Sequence, residues 1–116
     1  MASNGLKHIA LKTRDLKKTE EFYTDILGLK VAFRHSPAML FLTTPGSDDL
    51  INFVKSKTRP EGVQSLEHLG FKVTAAGLKK TEKTLRARGC KIDGRRGKTA
   101  IYVRDPNGYQ LEYYCD

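Results

Sequence analysis

The sequence predicts an α+β fold made of two βαβββ modules, and three observations carry that expectation. The chain repeats itself: LKHIALKTRDLKKTEEFYTDILGLKV, from Leu6, returns as LEHLGFKVTAAGLKKTEKTLRARGCKI, from Leu66. His8 and His68 hold the same place, LKKTE occurs at Leu16–Glu20 and again at Leu78–Glu82, and Ile51-Asn52-Phe53-Val54 matches Leu111-Glu112-Tyr113-Tyr114. Within each copy, two-residue alternation gives way to a helical stripe and then returns. Glycine and proline punctuate both copies where turns are required. Two copies are too few for a solenoid, so a closed pair related by a pseudo-twofold axis is expected.

The elements follow in order. Leu6–Lys12 alternates, with Ile9 and Leu11 on one face and His8 and Ala10 on the other. Thr13 or Asp15 is placed to cap the next helix, whose apolar stripe is Leu16, Phe22, Tyr23, Ile26 and Leu27, and Gly28 stops it. Strands follow at Leu29–His35, Ala38–Thr43 and Leu50–Val54. The second copy predicts a strand at Leu66–Val73, a helix at about Gly77–Arg88, and strands near Lys91–Asp93, Thr99–Arg104 and Tyr109–Cys115. Asp105-Pro106-Asn107-Gly108 is a strong turn between the last two. The expectation is one domain, 1–116, with module 1 at about 5–56 and module 2 at about 64–116, joined near Lys55–Gln64, where Pro60 and Gly62 lie.

Composition narrows the function classes. With 39% hydrophobic residues, five Phe and five Tyr, the chain is neither disordered nor collagen-like nor a coiled coil. No apolar run approaches the roughly 20 residues of a membrane span, and the N-terminus lacks the apolar core of a secretory signal. Cys90 and Cys115 fit no metal or redox spacing, so a reduced, cytoplasmic protein is expected. The net charge is +8, from 21 Lys and Arg against 13 Asp and Glu. A solvated surface fits most of these cations; Lys17, Lys18, Lys79, Lys80 and Lys83 lie on the expected helices among Glu20, Glu21 and Glu82. The dense run from Lys91 to Lys98 reads as a flexible basic loop. Charge without a recognised motif does not make a nucleic-acid binder, so nucleic acid is not expected as a partner.

Strand alternation then singles out a polar set. His68 and Gly70 point away from the face that carries Leu69, Phe71 and Val73, and Glu112 and Tyr114 point away from Leu111 and Tyr113. The repeat sets His8 opposite His68 and Asn52 opposite Glu112. If the two sheets face each other, these side chains converge. A lone histidine is more often an ordinary half-buried side chain. Two repeat-equivalent histidines with a repeat-placed carboxylate instead suit one face of an octahedral ion, leaving positions open for substrate. The expected ligands of one divalent ion per chain (Fe, Mn, Ni, Co or Zn) are therefore His8, His68 and Glu112. Tyr102 is either a donor to an anionic oxygen beside that ion or a packed strand aromatic. Phe33, Phe41, Phe53 and Tyr114 line a pocket or form core, and Arg34 and His35 are candidate substrate contacts at a rim.

These residues carry a family resemblance. The chain resembles the vicinal oxygen chelate superfamily, which includes glyoxalase I, extradiol dioxygenases, fosfomycin-modifying enzymes and bleomycin-binding proteins. The resemblance runs from Leu6 to Tyr114. It rests on the first-strand His8, on Phe22-Tyr23 with Leu27-Gly28-Leu29, on the His68 strand, and on Asp105-Pro106-Asn107-Gly108 followed by Glu112. It implies that the paired modules form a cupped, partly open mixed sheet around a metal site, with His8, His68 and Glu112 at the ligand positions. The chain also departs from each branch. Asn52 stands where glyoxalase I-like enzymes carry a Glu, and Ala10 where fosfomycin-modifying enzymes carry a Thr. The potassium-binding loop of the latter is not recognisable around Gly94–Thr99. Tyr102, ten residues before Glu112, matches extradiol dioxygenases, but the one spare histidine, His35, lies on a different strand from their second-shell histidine. Bleomycin-binding members lack the ligands and tend to be acidic.

The expected function is a metal-dependent enzyme that acts on a small oxygenated, anionic substrate by bidentate chelation, either dioxygenase-like or a redox-neutral lyase, isomerase or transferase. Tyr102 and Glu112 are its candidate catalytic residues, and Asn52, Phe41, Arg34, His35 and Tyr114 its candidate substrate contacts. The alternative is a small-molecule-binding or drug-sequestering resistance protein without catalysis. Size and analogy imply a homodimer.

Overall fold

The structure, a computed structural model, describes residues 3–57 and 65–116. The chain divides into two compact units, Met1–Pro60 and Glu61–Asp116. The first contains β1 (His8–Thr13), α1 (Leu16–Glu21) continued by a π-helical turn (Phe22–Ile26), β2 (Lys30–Ser36), β3 (Met39–Thr43) and β4 (Leu50–Lys55). The second contains β5 (Leu69–Lys72), α2 (Ala75–Ala87), β6 (Gly94–Arg96), β7 (Ala100–Arg104) and β8 (Gln110–Tyr114). Their sheets have the same order, β1-β4-β3-β2 and β5-β8-β7-β6. In each, the first and last strands pair in parallel and the other neighbours antiparallel. The fold is α+β, and the sequence repeat is a repeat of βαβββ.

Local chemistry sets the helix ends. The Asp15 carboxylate accepts from the Lys18 N–H at 2.9 Å, and the Thr74 hydroxyl accepts from the Gly77 N–H at 2.9 Å. The Thr74 cap starts α2 two residues earlier than alternation alone implied. Beyond α2, the Cys90 N–H donates to the Leu85 carbonyl and the Gly89 N–H to the Arg86 carbonyl, with Gly89 at φ +74°. That is a Schellman ending, which a left-handed glycine completes. The first helix ends on Gly28 at φ +81° but needs one residue more: LKKTE starts twelve residues before Gly28 and only eleven before Gly89. The extra residue is absorbed as the π turn, in which the Leu27 N–H reaches back five residues to Phe22 at 3.2 Å.

Each helix covers one face of its own sheet. In the first unit Tyr23 is fully buried, and its ring lies 5.0 Å from that of Phe53, among Leu11, Leu40, Leu42 and Ile51. In the second, Leu78 and Leu85 are buried with Ile101, Val103, Leu111 and Tyr113, and Phe71 stacks on Tyr113 at 5.1 Å. Each such side chain contributes about 1.5–3 kcal/mol on burial. The opposite sheet faces are thereby left to polar and aromatic residues.

Two expectations for the second module change. The strand at Leu66–Val73 shortens to β5, because its partner β8 offers pairing only from Leu69↔Leu111 to Lys72↔Tyr114. His68 therefore immediately precedes the strand. The strand near Lys91–Asp93 falls instead at Gly94–Arg96, and the run read as a flexible basic loop contains it. Gly97 at φ +55° forms the turn that pairs Arg96 with Ala100 and Gly94 with Tyr102. Two arginines are tolerated there because β6 is the outermost strand of its sheet. No helix among the described residues is long and apolar enough to cross a membrane.

Candidate functional site

Cross-strand register assembles the site in the second unit. Gly70, Glu112 and Tyr102 stand side by side on β5, β8 and β7. Tyr102 donates its hydroxyl proton to Glu112 Oε2 at 2.9 Å. Arg96, on β6, donates from its guanidinium to the same oxygen at 3.2 Å. The other oxygen, Oε1, faces His68 Nε2 at 3.3 Å. The His68 ring meets that of Tyr102 edge-on, with centroids 6.0 Å apart. The Glu112 side chain is only 12% exposed, against 32% for His68 and 60% for Arg96, so one sheltered carboxylate carries three neighbours.

The electrostatics follow from that sharing. The hydrogen bond to Glu112 is the main reason the Tyr102 phenol is held above its usual range, assisted by burial and by the carboxylate charge and opposed by Arg96. Tyr102 is thus a protonated donor at neutral pH. His68 Nδ1 is buried without a hydrogen-bond partner, and Glu67 Oε1 is 3.7 Å from it. Gly70 keeps the region beside the carboxylate clear: a Cβ there would lie 3.7 Å from Glu112 Oε1 and 3.4 Å from the Tyr114 ring.

The donor chemistry of the pair fits a divalent ion. Two donors bound side by side to one first-row ion at about 2.1 Å lie about 3 Å apart, close to the His68–Glu112 spacing. Tyr102 and Arg96 occupy Oε2 and leave Oε1 turned towards the imidazole. Among the described residues no group of three His, Cys, Asp or Glu side chains is assembled as a metal cluster; His68 and Glu112 come together as a pair.

The first unit carries the repeat mates on its own sheet. Ala10, Asn52 and Phe41 stand in register where the second unit has Gly70, Glu112 and Tyr102. Phe41 lacks the tyrosine hydroxyl and Asn52 lacks the charge, so the hydrogen bond of the second unit has no counterpart. Asn52 is 4% exposed, and its Oδ1 is buried without a partner. Phe41 stacks on Phe33 at 4.4 Å and meets the His8 ring at 6.2 Å. His8 itself is exposed at the start of β1.

The remaining candidates separate. Arg34 is held by Glu20 through two nitrogens at 2.8 and 2.9 Å, which ties β2 to α1. His35 is exposed on β2, and Tyr114 is half-buried beside Gly70. Arg96 was missed as a site residue because a basic run between glycines reads as a loop. Alternation within the Gly94–Arg96 strand would have marked it, since Arg95 turns to Glu82 on α2 at 2.6 Å while Arg96 turns to Glu112.

Comparison with known proteins matches residues 5–113 to the glyoxalase/bleomycin resistance protein/dioxygenase superfamily. Among curated proteins, the metallothiol transferase FosB of Lysinibacillus sphaericus is 25% identical over 98% of this chain and 84% of its own length. Among solved structures, an integron cassette protein from the mobile metagenome of the Halifax Harbour sewage outfall is 26% identical, with a TM-score of 0.80 over 98% of this chain and all of that one. The trypanothione-dependent glyoxalase I of Leishmania major shares the fold at a TM-score of 0.80 and 22% identity, over 97% of this chain and 87% of its own.

Proposed function

The chain belongs to the glyoxalase/bleomycin resistance protein/dioxygenase superfamily, and from that membership we propose that it is a metal-dependent enzyme acting on a small oxygenated, anionic molecule. The observation that carries the proposal is the pair of contacts on Glu112: the Tyr102 hydroxyl on one oxygen and the His68 imidazole on the other. One divalent ion (Fe, Mn, Ni, Co or Zn) is held by His68 and Glu112, with His8 as third ligand by its sequence position. When bound, such an ion supplies Lewis acidity to two adjacent substrate oxygens.

The chain's own residues do the rest. Arg96 and Tyr102 hold Glu112 by Oε2 and fix the direction of Oε1. Tyr102, still protonated at neutral pH, has a single hydroxyl proton, so it donates to negative charge developing on the substrate only by exchanging its bond with Glu112, which Arg96 then holds alone. Asn52, Phe41, Tyr114 and His35 are the proposed substrate contacts. Arg34 joins them only by exchanging its bond with Glu20. A homodimer and a cytoplasmic setting, in which the two free thiols stay reduced, complete the proposal.

The test is turnover with and without chelator, on α-oxo, α-hydroxy, epoxide and catechol compounds. A thiol is included as co-substrate because the FosB relative is named a metallothiol transferase. Chelator-sensitive turnover that Tyr102→Phe slows about a hundredfold is expected. Tight binding of one of these compounds without turnover by any metal-loaded preparation would favour a sequestering protein. Sedimentation as a single species near 13.1 kDa would contradict the dimer.

A further inference from the structure

We propose that Arg96 is the residue that selects substrates bearing an oxyanion group, and that the favoured substrate carries close to two negative charges; this rests on the metal-site reading above. Three features of β6 point to it. The guanidinium of Arg96 donates from one nitrogen to Glu112 Oε2 and also interacts with the Tyr102 hydroxyl, and its side chain is 60% exposed, so its five-donor fork keeps capacity for a further acceptor. The other cations placed on this sheet face by register turn to partners of their own: Lys72 to Asp116 at 2.9 Å, and Arg104 to Asp93 at 3.3 Å and to the Gly108 carbonyl. The adjacent Arg95 points to α2, where Glu82 receives it. Among these cations, Arg96 is the one directed at the carboxylate of the site.

Charge then defines the ligand. A divalent ion, one carboxylate and one guanidinium, with neutral imidazoles, leave a net charge of about +2 in a small volume. A planar fork beside it suits a carboxylate, phosphonate or phosphate group, which accepts two parallel hydrogen bonds. A neutral diol leaves that charge uncompensated.

The probe is sulfate, a dianion that binds metal ions weakly and so reports on the guanidinium. Zinc uptake is measured first in the wild type and in Arg96→Met, Arg96→Lys and Arg95→Met; sulfate is then titrated into each zinc-loaded protein and followed by amide and arginine side-chain NMR shifts. Arg96→Met is expected to take up zinc but bind sulfate about tenfold more weakly or worse. Arg96→Lys should fall between, because it keeps the charge and loses the fork. Arg95→Met, which removes the same net charge from the other face of β6, should stay within twofold of wild type. Normal zinc uptake with equal sulfate affinity in Arg96→Met and Arg95→Met would overturn the role of Arg96 and leave the metal site standing. Failure of the wild type to take up zinc or any other divalent ion would overturn the metal site, and this inference with it.

Discussion

Tyr102 donates its hydroxyl proton to Glu112 Oε2 at 2.9 Å across the β7–β8 pair, and the repeat-equivalent positions in the first unit hold Phe41 and Asn52. The two modules share a fold, but the second alone has both the charge and the hydroxyl that steadies it.

That bond makes Tyr102 a reporter on the site. Its pKa is raised in the folded protein, so the stabilisation is fully present below the ordinary tyrosine range and is lost as pH rises through the raised value. Ultraviolet titration of wild type and Glu112→Gln should differ by one tyrosine, which ionises above its ordinary range in the wild type and moves down in the variant. An unchanged titration in Glu112→Gln would show that Tyr102 is not held by Glu112.

Glu82 carries a separate pH dependence. The hydrogen bond from Arg95, aided by Arg86 and against the effect of burial, holds its carboxyl below the usual range. Its stabilisation is therefore present above the ordinary glutamate pKa and lost as pH falls through the lowered one. Denaturation between pH 7 and pH 3 should be less pH-dependent in Glu82→Gln than in wild type. Parallel pH profiles would remove Glu82 from the acid response.

Asn52 buries an oxygen without a partner, at the place where its repeat mate carries a charge. An unsatisfied buried acceptor costs about 1–3 kcal/mol, so Asn52→Leu, of similar volume, should hold or raise stability in urea. Metal affinity should change less than tenfold, while substrate affinity falls. A tenfold or larger loss of metal affinity would make Asn52 a ligand.

Gly89 completes the ending of α2 at φ +74°. Gly89→Ala should lower stability by about 1 kcal/mol, because a Cβ is strained there even in open space. No loss would mean that the helix ends differently in solution.

The repeat, the order of elements along the chain and the first helix cap were legible because each rests on local chemistry: Asp15 as a cap, Gly28 as a stop and Gly89 as its repeat mate. Thr74 was not legible as a cap, so α2 was expected to begin only at about Gly77. The π turn was foreshadowed by the odd residue between LKKTE and Gly28, although spacing alone does not say where the extra residue goes. Alternation set His68 and Glu112 on one face, and the resemblance drew attention to Tyr102, ten residues before Glu112; the structure brings the three side chains together. Arg96 escaped, since pairing of β6 depends on the turn at Gly97 and on β7, which lies beyond it in the chain. Arg34 was read as a rim residue because its partner Glu20 lies fourteen residues away, on another element.

Metal binding tests the central claim most directly. Calorimetric titration of a divalent ion into the purified, metal-stripped chain should show about one ion per chain, with His68→Ala and Glu112→Ala losing at least a hundredfold in affinity and His8→Ala losing a comparable amount. Equal uptake by wild type and His68→Ala would contradict the account.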